Sequence, residues 1–224
     1  MFKSEYERYL AFIGRYYPET GVQTNSTLQK IHACIHKNIR FMKIIEEIEK
    51  EVYLERKKLY EGFYLIHLRA LYHLASNDEV INNIIVRLLS ENILRLAVSY
   101  INPQTQNITG LSYLEIKDNL KSKGFPSRYP DLYQVLTSNY GKYSQDIHGE
   151  TIHKFSESEY LVMIRSNADT AKSIEGLFRV YDNITDKIIP FFLAEGNFKK
   201  KEIESSVLSR ILGIVGEDVY HQYF

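Results

Sequence analysis

One short stretch holds the residues best suited to proton chemistry: Tyr143-Ser144-Gln145-Asp146-Ile147-His148-Gly149. A histidine at a helix end titrates close to neutrality and can act as general base or acid. Ser144 lies four residues before His148 and so shares its helical face. Asp146, two residues away, does not. The plainer use of His148 is structural, as a helix-end side chain hydrogen-bonded to the last carbonyls. A second set, Arg87-Leu-Leu-Ser-Glu91 followed by Arg95, places Arg87 and Glu91 at i, i+4 on an otherwise apolar segment. An ion pair on a largely buried helix is costly unless satisfied, so this pair reads as a clamp between helices. It can also orient a site, and Arg87 is the best source of a cation near His148.

Other groupings carry less. His32 and His36 are four apart and share a face, but no carboxylate accompanies them at metal-ligand spacing. Arg69 and His73 share a face and read as a solvated or capping edge. The sequence holds no glycine-rich phosphate loop, no zinc-helix motif, no nucleophile elbow and no Glu-x-x-His di-iron pair. With Cys34 the only cysteine, neither an intramolecular disulfide nor a thiolate cluster can form within one chain. No metal and no cofactor is expected. The 28 basic and 28 acidic residues balance, so bulk charge does not point to nucleic acid or a membrane. No apolar run follows a basic start in Met1–Arg8, and the densest apolar run, Ile188 to Ala194, is far too short for a bilayer. The expectation is a cytoplasmic protein without a membrane partner.

The elements that must position these residues are helical. Apolar residues recur every three or four positions from Leu28 through Ile31, Ile35, Ile39, Met42, Ile45, Ile48 and Val52, and on through Leu59, Phe63, Ile66, Ala70 and Leu74. Ser26 is the expected cap. A turn is expected near 48–60, with Gly62 a second place for a kink. Asn77-Asp78 breaks the pattern and caps a helix over 79–101. Ser112 and Glu115 form a capping box after a polar loop. Residues 125–130 read as an irregular connector, and 131–148 as one or two short helices jointed near Gly141. The strongest periodicity begins at Ser158 and runs through Ile164, Ile174, Tyr181 and Ile188 to Gly196-Asn197, with a bend expected near Pro190. A last helix is expected over 199–222. No period-two strand pattern persists. Together these predict an all-α antiparallel bundle of long helices forming one domain over 1–224. Its core is 26–195, with a shorter-helix insert or lid at about 103–157 and a C-terminal helix in 197–224.

With Val86-Arg87-Leu-Leu-Ser-Glu91 on one helix and Tyr143–Gly149 on another, the chain resembles the HEPN-like helical superfamily, most closely its divergent bacterial branches. The likeness covers roughly 26–195 in organisation. It implies a helical bundle, a homodimer, and in many members a metal-independent ribonuclease of toxin–antitoxin, abortive-infection or other defence systems. The family motif is an arginine, a polar residue, and a histidine four to six intervening residues after the arginine. His148 matches the histidine and Ser144 the polar residue. The arginine position is Tyr143 at the shortest spacing and Lys142 at the next. Attack of an RNA 2′-hydroxyl on the adjacent phosphate needs a proton-moving group, for which His148 stands. It also needs a cation for the phosphorane, for which Lys142 or Arg87 would have to stand. Lysine offers a point charge where arginine offers a fork. The resemblance therefore implies a non-catalytic or divergent interaction module with a protein partner in a bacterial defence, toxin–antitoxin or stress system. The alternatives are an RNase acting on RNA through His148 in a dimer cleft, and an unrelated helical scaffold.

Overall fold

Helix α4 (Glu79–Ile101) is the axis against which much of the rest packs. Its sequence explains why: Val80, Ile85, Val86, Leu89, Ile93, Leu94, Leu96, Ala97 and Val98 are all buried, leaving no broad polar face. A helix that is apolar nearly all round must be surrounded. The computed structural model describes residues 2–49, 54–147, 167–196 and 198–224. His148, residues 149–166, in which the helix expected from Ser158 begins, and Asn197 lie outside the described residues.

Among the described residues the chain forms ten α-helices, several short 3₁₀ turns and no strand. The long helices are α1 (Phe2–Tyr16), α2 (Ser26–Ile48), α3 (Leu54–Ser76), α4, α7 (Pro130–Ile147) and α8 (Asn167–Glu195). Shorter ones are α5 (Tyr113–Ser122), α6 (Phe125–Arg128), α9 (Ser205–Val215) and α10 (Glu217–Tyr223). Helix α4 packs against α3 on one side and α7 on the other, and α2 packs against α3 and α8. Helix α8 closes the ring by touching α2, α4 and α7. The core runs through all of them, from Ile31, Ile35 and Phe41 through Phe63 and Leu89 to Leu136, Ile184 and Phe192. The all-α bundle read from the sequence is the observed architecture.

Local chemistry sets the boundaries. Helices α3 and α4 form a hairpin whose two-residue joint is Asn77, in the left-handed region at φ 56°, and Asp78. Asparagine tolerates that conformation better than other side chains. The Asp78 carboxylate accepts from the Ile81 amide at 3.0 Å, as expected of a cap. The capping box also forms: Ser112 N donates to Glu115 Oε2 at 2.7 Å, and Glu115 N donates to Ser112 Oγ at 3.3 Å.

Five expectations are corrected. The cap of α2 is Asn25, whose side chain accepts from the Thr27 amide at 2.8 Å, and Ser26 is the first helical residue. Gly62 sits within α3, where its missing side chain makes room for Asn92: an added Cβ would stand 2.9 Å from Asn92 Nδ2. Phe125–Arg128 is a short helix, since Pro126 suits a first turn and Phe125 is buried. Helix α7 runs unbroken through Gly141, anchored by buried Leu132, Leu136 and Tyr143. The expected last helix is instead a 3₁₀ turn at Lys200–Glu202 and two helices, α9 and α10, parted by Gly216 at φ 84°, ψ 166°. That conformation is essentially reserved for glycine.

Candidate functional site

Of the residues singled out in the sequence, the fold brings Arg87, Glu91 and Ser144 together. Arg87 and Glu91 stand one turn apart on α4. Tyr140 and Ser144 stand one turn apart on α7, the helix packed most heavily against α4. Arg87 Nη2 donates to the Tyr140 hydroxyl at 2.7 Å, Nε donates to Ser144 Oγ at 3.4 Å, and Nη1 lies 3.4 Å from Glu91 Oε2. The Ser144 hydroxyl donates back to the Tyr140 carbonyl at 2.5 Å, which fixes its rotamer. Glu91 is shared: its Oε1 accepts from Arg95 Nη2 at 2.7 Å. Arg95 in turn donates to the carbonyls of Ile108 and Thr109 at 2.6 and 3.0 Å. Two guanidinium groups against one carboxylate leave this triad with one net positive charge. All three side chains are less than one-fifth exposed.

The aromatic surroundings are equally committed. Arg87 lies over the Tyr140 ring at 4.4 Å, the Tyr140 ring stacks on Tyr113 at 3.5 Å, and Lys117 Nζ lies 5.4 Å from the Tyr113 centroid. Tyr140 thus carries Arg87 and Tyr113, and Tyr113 carries Tyr140 and Lys117. Such contacts contribute about 0.5–1 kcal/mol each at partly exposed sites. Burial, the neighbouring Tyr133 and Tyr140 phenols and the Glu91 charge push the Tyr113 hydroxyl up to about 12. It therefore keeps its proton near neutrality.

Lys142 does not join this centre. It is exposed, and its ammonium donates to the Tyr143 hydroxyl at 3.1 Å and lies 4.7 Å from that ring. The motif histidine, His148, lies outside the described residues. A polar cleft of about 380 Å³ between α7 and α8 is lined by Asp131, Gln134, Ser138, Asn139, Asn183 and Lys187. None of Arg87, Glu91, Ser144 or Lys142 lines it.

Three other histidines, His67, His32 and His36, serve packing. His67 is fully buried; its Nδ1–H donates to the Phe63 carbonyl at 2.9 Å, and its Nε2 accepts from Asn38 Nδ2 at 3.3 Å. Burial holds it down to about 4, so it is neutral. The His32 and His36 rings lie 4.3 Å apart, and the Tyr6 and Tyr9 rings pack on His32. Burial and then the neighbouring His36 charge lower His32 to about 4. Glu5 faces this pair, its Oε2 3.8 Å from His36 Nδ1 and 3.0 Å from Arg40 Nη2. No cluster of three or more His, Cys, Asp or Glu that could hold a metal occurs among the described residues.

Two features escaped the sequence. Tyr140 is four residues before Ser144, so the same spacing that linked Ser144 to His148 would have found it. A second polar centre joins α2, α3 and α4. Arg56 pairs with Glu49 at 2.9 Å, donates to the Ser99 carbonyl at 2.5 Å and to Ser99 Oγ at 3.2 Å, and lies over Tyr100 at 4.1 Å. The Tyr60 hydroxyl donates to Glu49 Oε2 at 2.8 Å and meets the Tyr100 hydroxyl. Burial and then the neighbouring phenol and Glu49 raise Tyr60 well above its ordinary range. Nothing in the one-dimensional spacing joins residues 49, 56 and 100.

No helix among the described residues is long and apolar enough to cross a membrane. Comparison of the chain with protein-family models, curated proteins and solved structures finds no match.

Proposed function

We propose that this chain is a HEPN-like helical interaction module of a bacterial defence, toxin–antitoxin or stress system, working by protein–protein contact and not by cleaving RNA. One observation carries the reading. Every nitrogen of the Arg87 guanidinium is engaged inside the chain, by Glu91, Tyr140 and Ser144. A phosphorane-stabilising cation must aim its donors at the charge that develops in the transition state. Here the donors are aimed at the seam between α4 and α7. Lys142, the other cation near the motif, rests on Tyr143.

The test is direct. Purified full-length protein is incubated with mixed cellular RNA, with and without divalent metal, and wild type and His148→Ala are expressed side by side. The expected result is intact RNA and equal growth for both. Metal-independent cleavage by wild type that disappears in a folded His148→Ala would overturn the reading. The second reading, an RNase using His148, draws on one contact: Arg87 Nε reaches Ser144, whose residue stands one helical turn before position 148 in sequence.

A further inference from the structure

Helix α3 buries Leu59, Phe63, Ala70 and Leu74 on its inner side, yet its outer side is also apolar. Leu65 is 49% exposed, Leu68 55% and Tyr72 50%. Their spacing of three and four residues puts all three on one stripe. The stripe continues onto the end of α1. The Phe12 ring lies 6.0 Å from Tyr72, and Tyr16, 58% exposed, lies 5.1 Å from Phe12. Solitary exposed leucines need no explanation, but a contiguous apolar stripe rimmed by charge marks an interaction surface.

The charges along this stripe say what covers it. Glu61 and Arg69 are both exposed, and neither has an ion-pair partner among the described residues. They stand four residues to either side of Leu65. When two copies of α3 run antiparallel about a two-fold axis at Leu65, each Glu61 falls at the height of Arg69 of the other copy. Leu65 then meets Leu65, and Lys58 falls at the height of Tyr72, a cation opposite an aromatic ring. A two-fold contact requires a surface to complement itself, and this stripe does so in charge.

We propose that the outer face of α3, extended by Tyr16, is a homodimer interface with its two-fold axis at Leu65. The inference rests on the interaction reading above, and it names the partner as a second copy of this chain.

Sedimentation equilibrium of the full chain from micromolar to near-millimolar concentration tests it, with circular dichroism to confirm that each variant stays helical. Wild type is expected to dimerise, and Leu65→Lys to be monomeric throughout. Glu61→Arg and Arg69→Glu each replace two attractive pairs with two repulsive ones, so each is expected to weaken the dimer about tenfold. The double variant Glu61→Arg/Arg69→Glu restores both pairs and is expected to regain wild-type affinity. A wild type that stays monomeric overturns the proposal. So does a dimer indifferent to Leu65→Lys, or one that the double reversal fails to rescue. A monomer that leaves RNA intact overturns the dimer alone, whereas RNA cleavage lost in His148→Ala overturns the interaction reading at any oligomeric state.

Discussion

Arg87 is where a structural and a catalytic reading of this chain part, and replacing it separates them. Arg87→Met keeps most of the aliphatic stem and removes the guanidinium. The loss comprises a charged hydrogen bond to the Tyr140 hydroxyl at 2.7 Å, a longer one to Ser144 at 3.4 Å, and the contact over the Tyr140 ring. A hydrogen bond to a charged group contributes about 1.5–3 kcal/mol, and a partly exposed cation–π contact about 0.5–1 kcal/mol. Glu91 is not orphaned, because Arg95 still holds it at 2.7 Å. The expected destabilisation is therefore about 2–4 kcal/mol, which lowers Tm by roughly 4–16 °C for a chain of this size. Tyr140→Phe removes only the hydroxyl and leaves the stack on Tyr113. A double-mutant cycle of Arg87→Met and Tyr140→Phe, read by urea unfolding, should show a coupling of about 1–2 kcal/mol. If Arg87→Met unfolds within about 0.5 kcal/mol of wild type and the cycle shows no coupling, the guanidinium is not a clamp. Its donors are then free of the seam between α4 and α7.

Two further outcomes follow from the same geometry. His67 is neutral in the fold at about 4 against an ordinary 6.5, so the unfolded chain takes up its proton first as pH falls. Its contribution is fully present above pH 6.5 and lost progressively toward pH 4, by about 3 kcal/mol at about 1.4 kcal/mol per pH unit. The stability gap between wild type and His67→Gln, measured by urea unfolding, should accordingly narrow between pH 7.5 and pH 4.5; a gap constant with pH refutes the assignment. Gly216→Ala and Gly141→Ala should have opposite signs, although neither added Cβ meets an atom within 4 Å. At Gly216 the backbone conformation costs a side chain about 1–3 kcal/mol, whereas Gly141 lies inside α7 and gains about 0.5–1 kcal/mol from alanine. Equal thermal shifts for the two variants would contradict this.

The helices were legible because periodicity reports burial directly. The stripe from Leu28 to Ile45 buries Leu28, Ile31, Ile35, Met42 and Ile45 as its spacing requires. Caps were legible where the side chain is the signal, at Asp78 and Ser112, and missed at Asn25, where an adjacent serine competes on equal terms. Breaks were misjudged for a common reason. Glycine marks a place where a helix can stop, but tertiary packing decides whether it does. Gly141 is carried through by Leu136 and Tyr143 on the buried side, and Gly62 is used to admit Asn92. The site was half legible. Spacing within α4 gave Arg87 and Glu91, and spacing within α7 gave Ser144. That the two pairs face each other depends on helix packing across 53 residues of chain, from Arg87 to Tyr140.

Three polar groups inside this bundle have a shared placement. The Glu49–Arg56–Tyr60–Tyr100 group joins α2, α3 and α4, Asn38 meets His67 between α2 and α3, and the Arg87 group lies between α4 and α7. Each therefore crosses a seam between helices. Aliphatic faces such as those of α2 and α4 would tolerate sliding by a turn, since one leucine packs much like another. A guanidinium that must meet a particular phenol does not tolerate it. A slip of one turn would strand these groups in the interior, and an unpaired buried charge costs several kcal/mol. Arg87, Glu91 and Ser144 are thus accounted for by specifying which turn faces which.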